Sequence, residues 1–268
     1  MDLSVIIPVY NSENIIEDLI KQTVYEIKNI DKINSFEIFL INDFSHDNSW
    51  KKIKLLSSKY TSVKGISLSE NFGQLNATMC GLNECKGNFI IVMDDDLQHP
   101  PHYIKNLVKK LEEGYDACYT NYLNRKHPMW KMVVSWINNI VSSFLLNKPF
   151  RMYLSSFKGL KKKIAKEIIF FKKNNVYVDG LILKTTRNIA MISVPHSERP
   201  SGDSNYSFKK LIILWSNMAV NFPVFPLRPS TFFGFFVKFF IIITLKILLI
   251  KNKSGKPQYS ISEKTYID

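Results

Sequence analysis

Cysteine is scarce in this chain: 268 residues carry three, Cys80, Cys85 and Cys118. No Cys/His cluster of zinc spacing surrounds them, and the Cys80-x4-Cys85 pair falls in a stretch that reads as helix. A disulfide framework and a zinc module give way to reduced, buried thiols in a cytosolic setting. The five histidines form no HxxxH pair. There is no GxxxxGK[ST] loop, no GxGxxG turn and no GxSxG elbow, which removes P-loop, classical dinucleotide-binding and serine-hydrolase chemistry. A strand-like run begins at Leu3 with no basic region or cleavage site before it, so no secretory signal is expected. Acidic residues are the minority, 23 Asp+Glu against 36 Lys+Arg, for a formal net charge of +13. That excess favours an anionic partner: nucleic acid, a phosphorylated ligand or an acidic membrane surface. Charge alone does not choose among them.

What is present begins with rhythm. "LSVIIPVY" reads as a buried strand and "NSENIIEDLIKQTVYEIKN" as a helix. Asn11 or Ser12 can cap that helix, Glu13, Glu17 and Asp18 suit its positive end, and Ile15, Ile16, Leu19, Ile20, Thr23, Val24 and Ile27 make one apolar face. "FEIFLIND", "VKGISLS", "NFIIVMD" and "YDACYTNY" read as further strands. "DNSWKKIKLLSSKY", "GQLNATMCGLNECKG" and "PHYIKNLVKKLEEG" read as helices between them, the second with small residues for close packing and the third with Tyr103, Ile104, Leu107, Val108 and Leu111 inward. The repeat predicts an α/β fold, a mostly parallel sheet with helices on both faces. Such sheets bind ligands at the C-terminal ends of their strands, where Asp43 and the triplet Asp94-Asp95-Asp96 both fall.

The rest of the chain differs. "HPMWKMVVSWINNIVSSFLLNKPF" and "YSFKKLIILWSNMAVNF" are rich in Trp, Ile, Val and Phe, and Trp130, Trp136 and Trp215 with flanking lysines suit a membrane interface. Residues 232–250, "FFGFFVKFFIIITLKILLI", are as a helix about 28 Å long, close to a bilayer's hydrocarbon thickness. Lys238 and Lys246 interrupt this run. Basic clusters flank it on both sides, Lys209, Lys210 and Arg228 before and Lys251, Lys253 and Lys256 after. One crossing would carry a cluster out of the cytoplasm against the positive-inside tendency. A helix in the interface or a re-entrant one keeps both ends cytoplasmic, and that is the expectation.

In an extended chain alternate side chains share a face, so Asp94 and Asp96 point one way and Asp95 the other. Two convergent carboxylates, roughly 6–7 Å apart at Cα, make a hard-oxygen site at a strand end. It suits Mg²⁺ or Mn²⁺ shared with a diphosphate, and Gln98 can add a neutral oxygen. His99 is a further candidate ligand beside the triplet.

Four segments, "SVIIPVYNSENI", "LINDFSHDNS", "ENFGQLNATMCGL" and "VMDDDLQHPP", stand in the order seen in family 2 glycosyltransferases of the GT-A (Rossmann-like) fold, which the chain resembles over residues 3 to about 230. "HSERPSGDSNYSFKKL" and "NFPVFPLR", and more weakly the tail "KPQYSISE", are similar to the branch that loads a sugar onto polyprenyl phosphate, such as dolichyl-phosphate mannose synthases and undecaprenyl-phosphate sugar transferases. The resemblance implies a nucleotide pocket of Pro8, Tyr10 and Asp43, with Asp43 accepting from the base. Asn71 and Gln74 would lie near the donor, and Asp95 near the ribose or sugar. Asp94, Asp96 and Gln98 would hold Mg²⁺ or Mn²⁺ on the diphosphate. Arg125, Lys131 and Ser135 would grip the acceptor phosphate, and Arg199 and Ser204 would lie on a loop closing over the donor phosphates. Lys131 stands where relatives commonly have arginine, which turns a bidentate phosphate contact into a point charge. Asn205 replaces a lysine of many relatives, and one apolar segment stands where several relatives have two.

The organisation expected from this is a nucleotide-sugar-binding core over 1–125, an acceptor-binding part with interfacial helices over 126–229, a membrane segment over 230–251 and a polar tail over 252–268. The expected activity is inverting transfer from a nucleotide sugar, UDP favoured over GDP, to polyprenyl phosphate at the cytoplasmic membrane face. The phosphate is already anionic and needs no general base, so the enzyme's task is alignment and charge neutralisation. Membrane lipids are further expected partners, nucleic acid is not, and interfacial helices can pair subunits. Transfer to a sugar hydroxyl would need a base, for which Asp179 in "VYVDGLIL" stands best; a non-catalytic nucleotide-sugar binder is the third reading.

Overall fold

In a computed structural model the described residues are 1–123, 139–140, 142–143, 146, 148–150, 152–171, 177–195 and 258–267. Eight strands make one sheet: β1 Leu3–Val9, β2 Phe36–Asn42, β3 Val63–Leu68, β4 Phe89–Val92, β5 Ala117–Leu123, β6 Lys158–Lys161, β7 Ile189–Pro195 and β8 Ile261–Lys264. Their order across the sheet is β7-β5-β6-β4-β1-β2-β3-β8. β1 pairs in parallel with β2 and β4, β2 with β3, and β5 with β7. β6 runs against both β4 and β5, and β8 against β3. The expected mostly parallel sheet is therefore a mixed one with two reversed strands.

β1 is buried along its whole length, as befits a strand covered on both faces. On one face α1 (Ile16–Lys28), α2 (Ser49–Lys59) and α4 (Ile104–Glu112) share a core with Val5, Ile7, Ile38 and Leu40. On the other, α3 (Gln74–Glu84), α5 (Lys162–Ile168) and α6 (Val178–Thr185) share one with Ile6, Phe39, Ile41 and Ile66. α1 buries Ile16, Leu19, Ile20, Thr23, Val24 and Ile27, the apolar stripe read from its spacing.

One local expectation fails. α1 has no side-chain cap: its N-cap is Ile15, and Ser12 supplies only its carbonyl to Ile15 and Ile16. The Ser12 hydroxyl donates instead to Asp95. That bond directs the hydroxyl across the crevice and not toward the helix's own N–H groups.

Among the described residues no helix is long and apolar enough to cross a membrane. Residues 206–222 and 232–250 lie outside the described residues, as does most of the apolar stretch 127–150.

Candidate active site

The site grows from the ends of three adjacent parallel strands. β1 and β4 stay paired only as far as Ile6 and Val92, where the Met93 N–H donates to the Ile6 carbonyl at 3.1 Å. In a parallel ladder alternate residues bond to the same neighbour, so Pro8 turns its missing donor toward the side β4 has left. A proline is tolerated there, and the parting strands open a crevice beside it. The three non-glycine residues with left-handed backbone among the described ones stand just past these ends: Asn11 (φ 54°), Phe44 (φ 57°) and Leu97 (φ 57°). Sparsely populated backbone of this kind clusters where a scaffold aims side chains at a ligand.

Asp43, 3% exposed, stands directly after β2. Its carboxylate accepts the Phe72 N–H at 2.8 Å and the Gly73 N–H at 2.9 Å, and its carbonyl accepts from the Asn71 side chain at 3.2 Å. Burial raises the Asp43 carboxyl above its ordinary range, and the two N–H donors offset part of that rise. The carboxylate thus pins the loop that leads into α3. Gly73 turns at φ 87° and ψ 153°, a region open essentially to glycine. The turn delivers Gln74, whose amide donates to Asp94 Oδ1 at 2.5 Å.

The three aspartates separate. Asp94 Oδ2 accepts from Ser156 Oγ at 2.5 Å and lies 3.7 Å from His99 Nδ1. Asp96, 9% exposed, accepts the Gln98 N–H at 3.1 Å. Asp95 turns the other way, to the Tyr10 N–H at 3.0 Å and the Ser12 hydroxyl. Burial pushes its carboxyl up to about 6 against the two hydrogen bonds, and its charged neighbours Asp94 and Asp96 add to the rise. Ligand atoms of Asp94, Asp96 and His99 all lie within 4.8 Å of one another. Two carboxylate oxygens and an imidazole nitrogen converging at a strand end are a donor set that fits a divalent cation.

Residues 4–169 match the model of the family described as "Glycosyl transferase family 2". The chain belongs to this family. A curated relative, the undecaprenyl-phosphate 4-deoxy-4-formamido-L-arabinose transferase of Shewanella sediminis, is 32% identical over 251 residues, 93% of this chain and 75% of the relative. The transferase of the same description from Serratia proteamaculans is also 32% identical, covering 94% and 79%. Among solved structures, Mycobacterium tuberculosis glucosyl-3-phosphoglycerate synthase in complex with Mn²⁺ and UDP-glucose aligns with TM-score 0.61, at 16% identity over 83% of this chain and 79% of that one. Staphylococcus aureus TarS 1-349 in complex with UDP gives 0.55, at 19% identity over 84% and 67%. These two share the GT-A fold with the present chain.

In this family 2 transferase the sequence-derived site residues are distributed as follows. Pro8 is buried in β1, while Tyr10 is exposed at its end beside the His46 ring, with centroids 6.5 Å apart. Asn71, Gln74, Asp94, Asp95, Asp96 and Gln98 surround the same crevice with Asp43. Arg125, Lys131, Ser135, Arg199 and Ser204 lie outside the described residues. Asp179 is buried in the first turn of α6, where it accepts from Tyr119 at 2.9 Å and is ion-paired with Lys158. These partners use it to tie α6 to β5 and β6. Sequence reasoning missed Ser156 and Phe157, which precede the unforeseen β6, and Phe44, whose ring meets His46 edge-on at 5.5 Å. The aromatic run Tyr10, Phe44, His46 past two strand ends was the available signal for a flat ligand.

Proposed function

We propose that this family 2 transferase moves a sugar from a nucleotide diphosphate sugar, UDP in preference to GDP, onto a polyprenyl phosphate at the cytoplasmic face of a membrane. The observation that carries this reading is the meeting of Asp94, Asp96 and His99 within 4.8 Å, in a chain 32% identical over 93% of its length to an undecaprenyl-phosphate sugar transferase. The UDP preference takes support from the UDP complexes among structures of the same fold.

Asp94 and Asp96, with Gln98 or His99 of the same loop, would hold Mg²⁺ or Mn²⁺. Such an ion supplies positive charge to the departing diphosphate. Asp43 and the rim aromatics Tyr10, Phe44 and His46 would face the base, with the ring faces available for stacking. Asp95 would steady the β1–α1 loop beneath the ribose. Arg125, Lys131, Ser135, Arg199 and Ser204 are assigned by motif to the two phosphate groups, where they would reduce the repulsion between acceptor and donor. The acceptor oxygen is anionic and attacks without a base, so single displacement inverts the anomeric centre. Asp179, engaged by Lys158 and Tyr119, is then a structural residue.

Full-length protein in detergent is to be incubated with undecaprenyl phosphate and a panel of nucleotide sugars, with and without Mn²⁺, and the product weighed by mass spectrometry. One UDP-sugar is expected to yield a glycosylated lipid phosphate only with the divalent cation. Asp96→Ala is expected to lower that transfer at least about 100-fold. Near-normal turnover in the variant refutes the reading.

A further inference from the structure

We infer that His99 binds the cation directly and biases the site toward Mn²⁺ over Mg²⁺. The inference rests on the metal-assisted reading above and names the ion that reading leaves open. Sequence makes His99 a candidate only by its nearness to the triplet, five residues beyond Asp94. The backbone brings it back: Leu97 adopts φ 57°, which reverses the chain after the triplet. His99 then lies 5% exposed with Nδ1 at 3.7 Å from Asp94 Oδ2.

The ring is held in place. It stacks on Phe157, with centroids 5.4 Å apart and planes 25° from parallel. Phe157 is fully buried, and its neighbour Ser156 donates to Asp94 Oδ2 at 2.5 Å. One dipeptide ahead of β6 therefore orients both the imidazole and the carboxylate. Gln74 holds the other Asp94 oxygen from the opposite side at 2.5 Å. A set of donors fixed by its surroundings before the ion arrives is what a selective site requires.

The chemistry of the set decides the ion. Mg²⁺ takes oxygen ligands and keeps much of its water, while an imidazole nitrogen is a better ligand for transition metals. Two carboxylates alone would not discriminate; a nitrogen beside them does. The competing role for His99 is that of an imidazolium paired with Asp94 outside the coordination shell.

Pulsed EPR of the Mn²⁺-loaded full chain separates the two. The expected spectrum shows ¹⁴N coupling from a directly bound imidazole, and His99→Asn removes it. Competition titration is expected to show that His99→Asp, which restores an oxygen donor, still binds Mn²⁺ but loses at least about tenfold of its preference over Mg²⁺. Wild-type protein that binds Mn²⁺ without nitrogen coupling overturns the inference, as does an unchanged preference in His99→Asp; either result leaves the metal-assisted reading standing. Mn²⁺ binding that survives both Asp94→Asn and Asp96→Asn overturns that reading itself. The wild-type spectrum decides even where a variant fails to fold.

Discussion

Asp94, Asp95 and Asp96 put like charges on adjacent residues, and each disposes of its charge differently. Asp94 spreads it over Gln74 and Ser156, Asp96 over its own loop, and Asp95 over the Tyr10 N–H and Ser12. Lys148 poses the opposite problem. It is a buried cation whose hydrogen-bond partners among the described residues are neutral: Asn139 Oδ1 at 2.6 Å, Ser143 Oγ at 3.0 Å and the Met152 carbonyl at 2.6 Å. Burial pulls its ammonium down from 10.5 to about 8. Between those two values the unfolded chain binds more protons than the folded one, so this lysine makes stability rise with pH across that window. Below the folded value the whole cost of a buried charge applies, on the order of 3 kcal/mol for a drop of this size. Urea unfolding of wild type and Lys148→Met at pH 7 and pH 10 measures it. The stability of wild type relative to the variant is expected to grow by up to about 3 kcal/mol at the higher pH. A difference that does not move with pH means that Lys148 titrates as an exposed lysine does.

α3 shows how one element sets the depth of the crevice. Its small residues let it lie close on β1, and a Cβ added to Gly81 would stand 2.4 Å from Ile6 Cγ2. Alanine would gain about 1 kcal/mol of helix propensity there, but overpacking costs about 1–3 kcal/mol and pushes α3 from the sheet. Because Gln74 opens the same helix, the push reaches Asp94. Gly81→Ala is expected to lower the urea midpoint and weaken Mn²⁺ binding together; a raised midpoint with unchanged binding would show that α3 shifts freely. That close packing was legible in "GQLNATMCGL", as were β1 to β5 and the strand ends carrying Asp43 and the triplet, because local periodicity encodes them. β6 was not legible. "KGLK" has no apolar alternation, since Lys158 is buried by its ion pair with Asp179 and Gly159 packs under Leu111 and Ile91. With β6 hidden, its neighbours were hidden too: Ser156, 62 residues from the Asp94 it bonds, and Phe157, which stacks on His99. β7 pairs with β5, Ala117 opposite Ile189, and β8 with β3, Ile66 opposite Lys264, both across long gaps in sequence that no turn signal announces. The Ser12 cap failed for the same reason: its partner is a carboxylate 83 residues away.

The tail constrains how the whole molecule meets a membrane. β8 pairs antiparallel with β3, covering what would otherwise be an open sheet edge. Side chains lock it down: Trp50 Nε1 donates to Glu263 at 2.7 Å, Gly65 N–H to Thr265 Oγ1 at 2.8 Å, and Lys264 and the Tyr266 hydroxyl to Glu84 at 2.8 and 2.9 Å. The Tyr266 ring meets Phe39 edge-on at 5.9 Å. The described chain before and after residues 196–257 belongs to one sheet, and a sheet occupies one compartment, so the prediction is that β1 to β7 and β8 lie on the same side of any membrane the protein meets. The prediction agrees with the expectation from sequence that both basic clusters, Lys209, Lys210 and Arg228 and then Lys251, Lys253 and Lys256, keep to one side. Cysteine labelling tests this in a Cys85→Ser background that leaves only the buried Cys80 and Cys118. Lys51→Cys marks the exposed surface of α2, and Ser262→Cys marks the exposed surface of β8. With a membrane-impermeant maleimide both are expected to stay unlabelled in intact cells and to react together once the membrane is opened. Labelling of Ser262→Cys alone from outside would mean that the tail leaves the sheet and that residues 232–250 span the bilayer once.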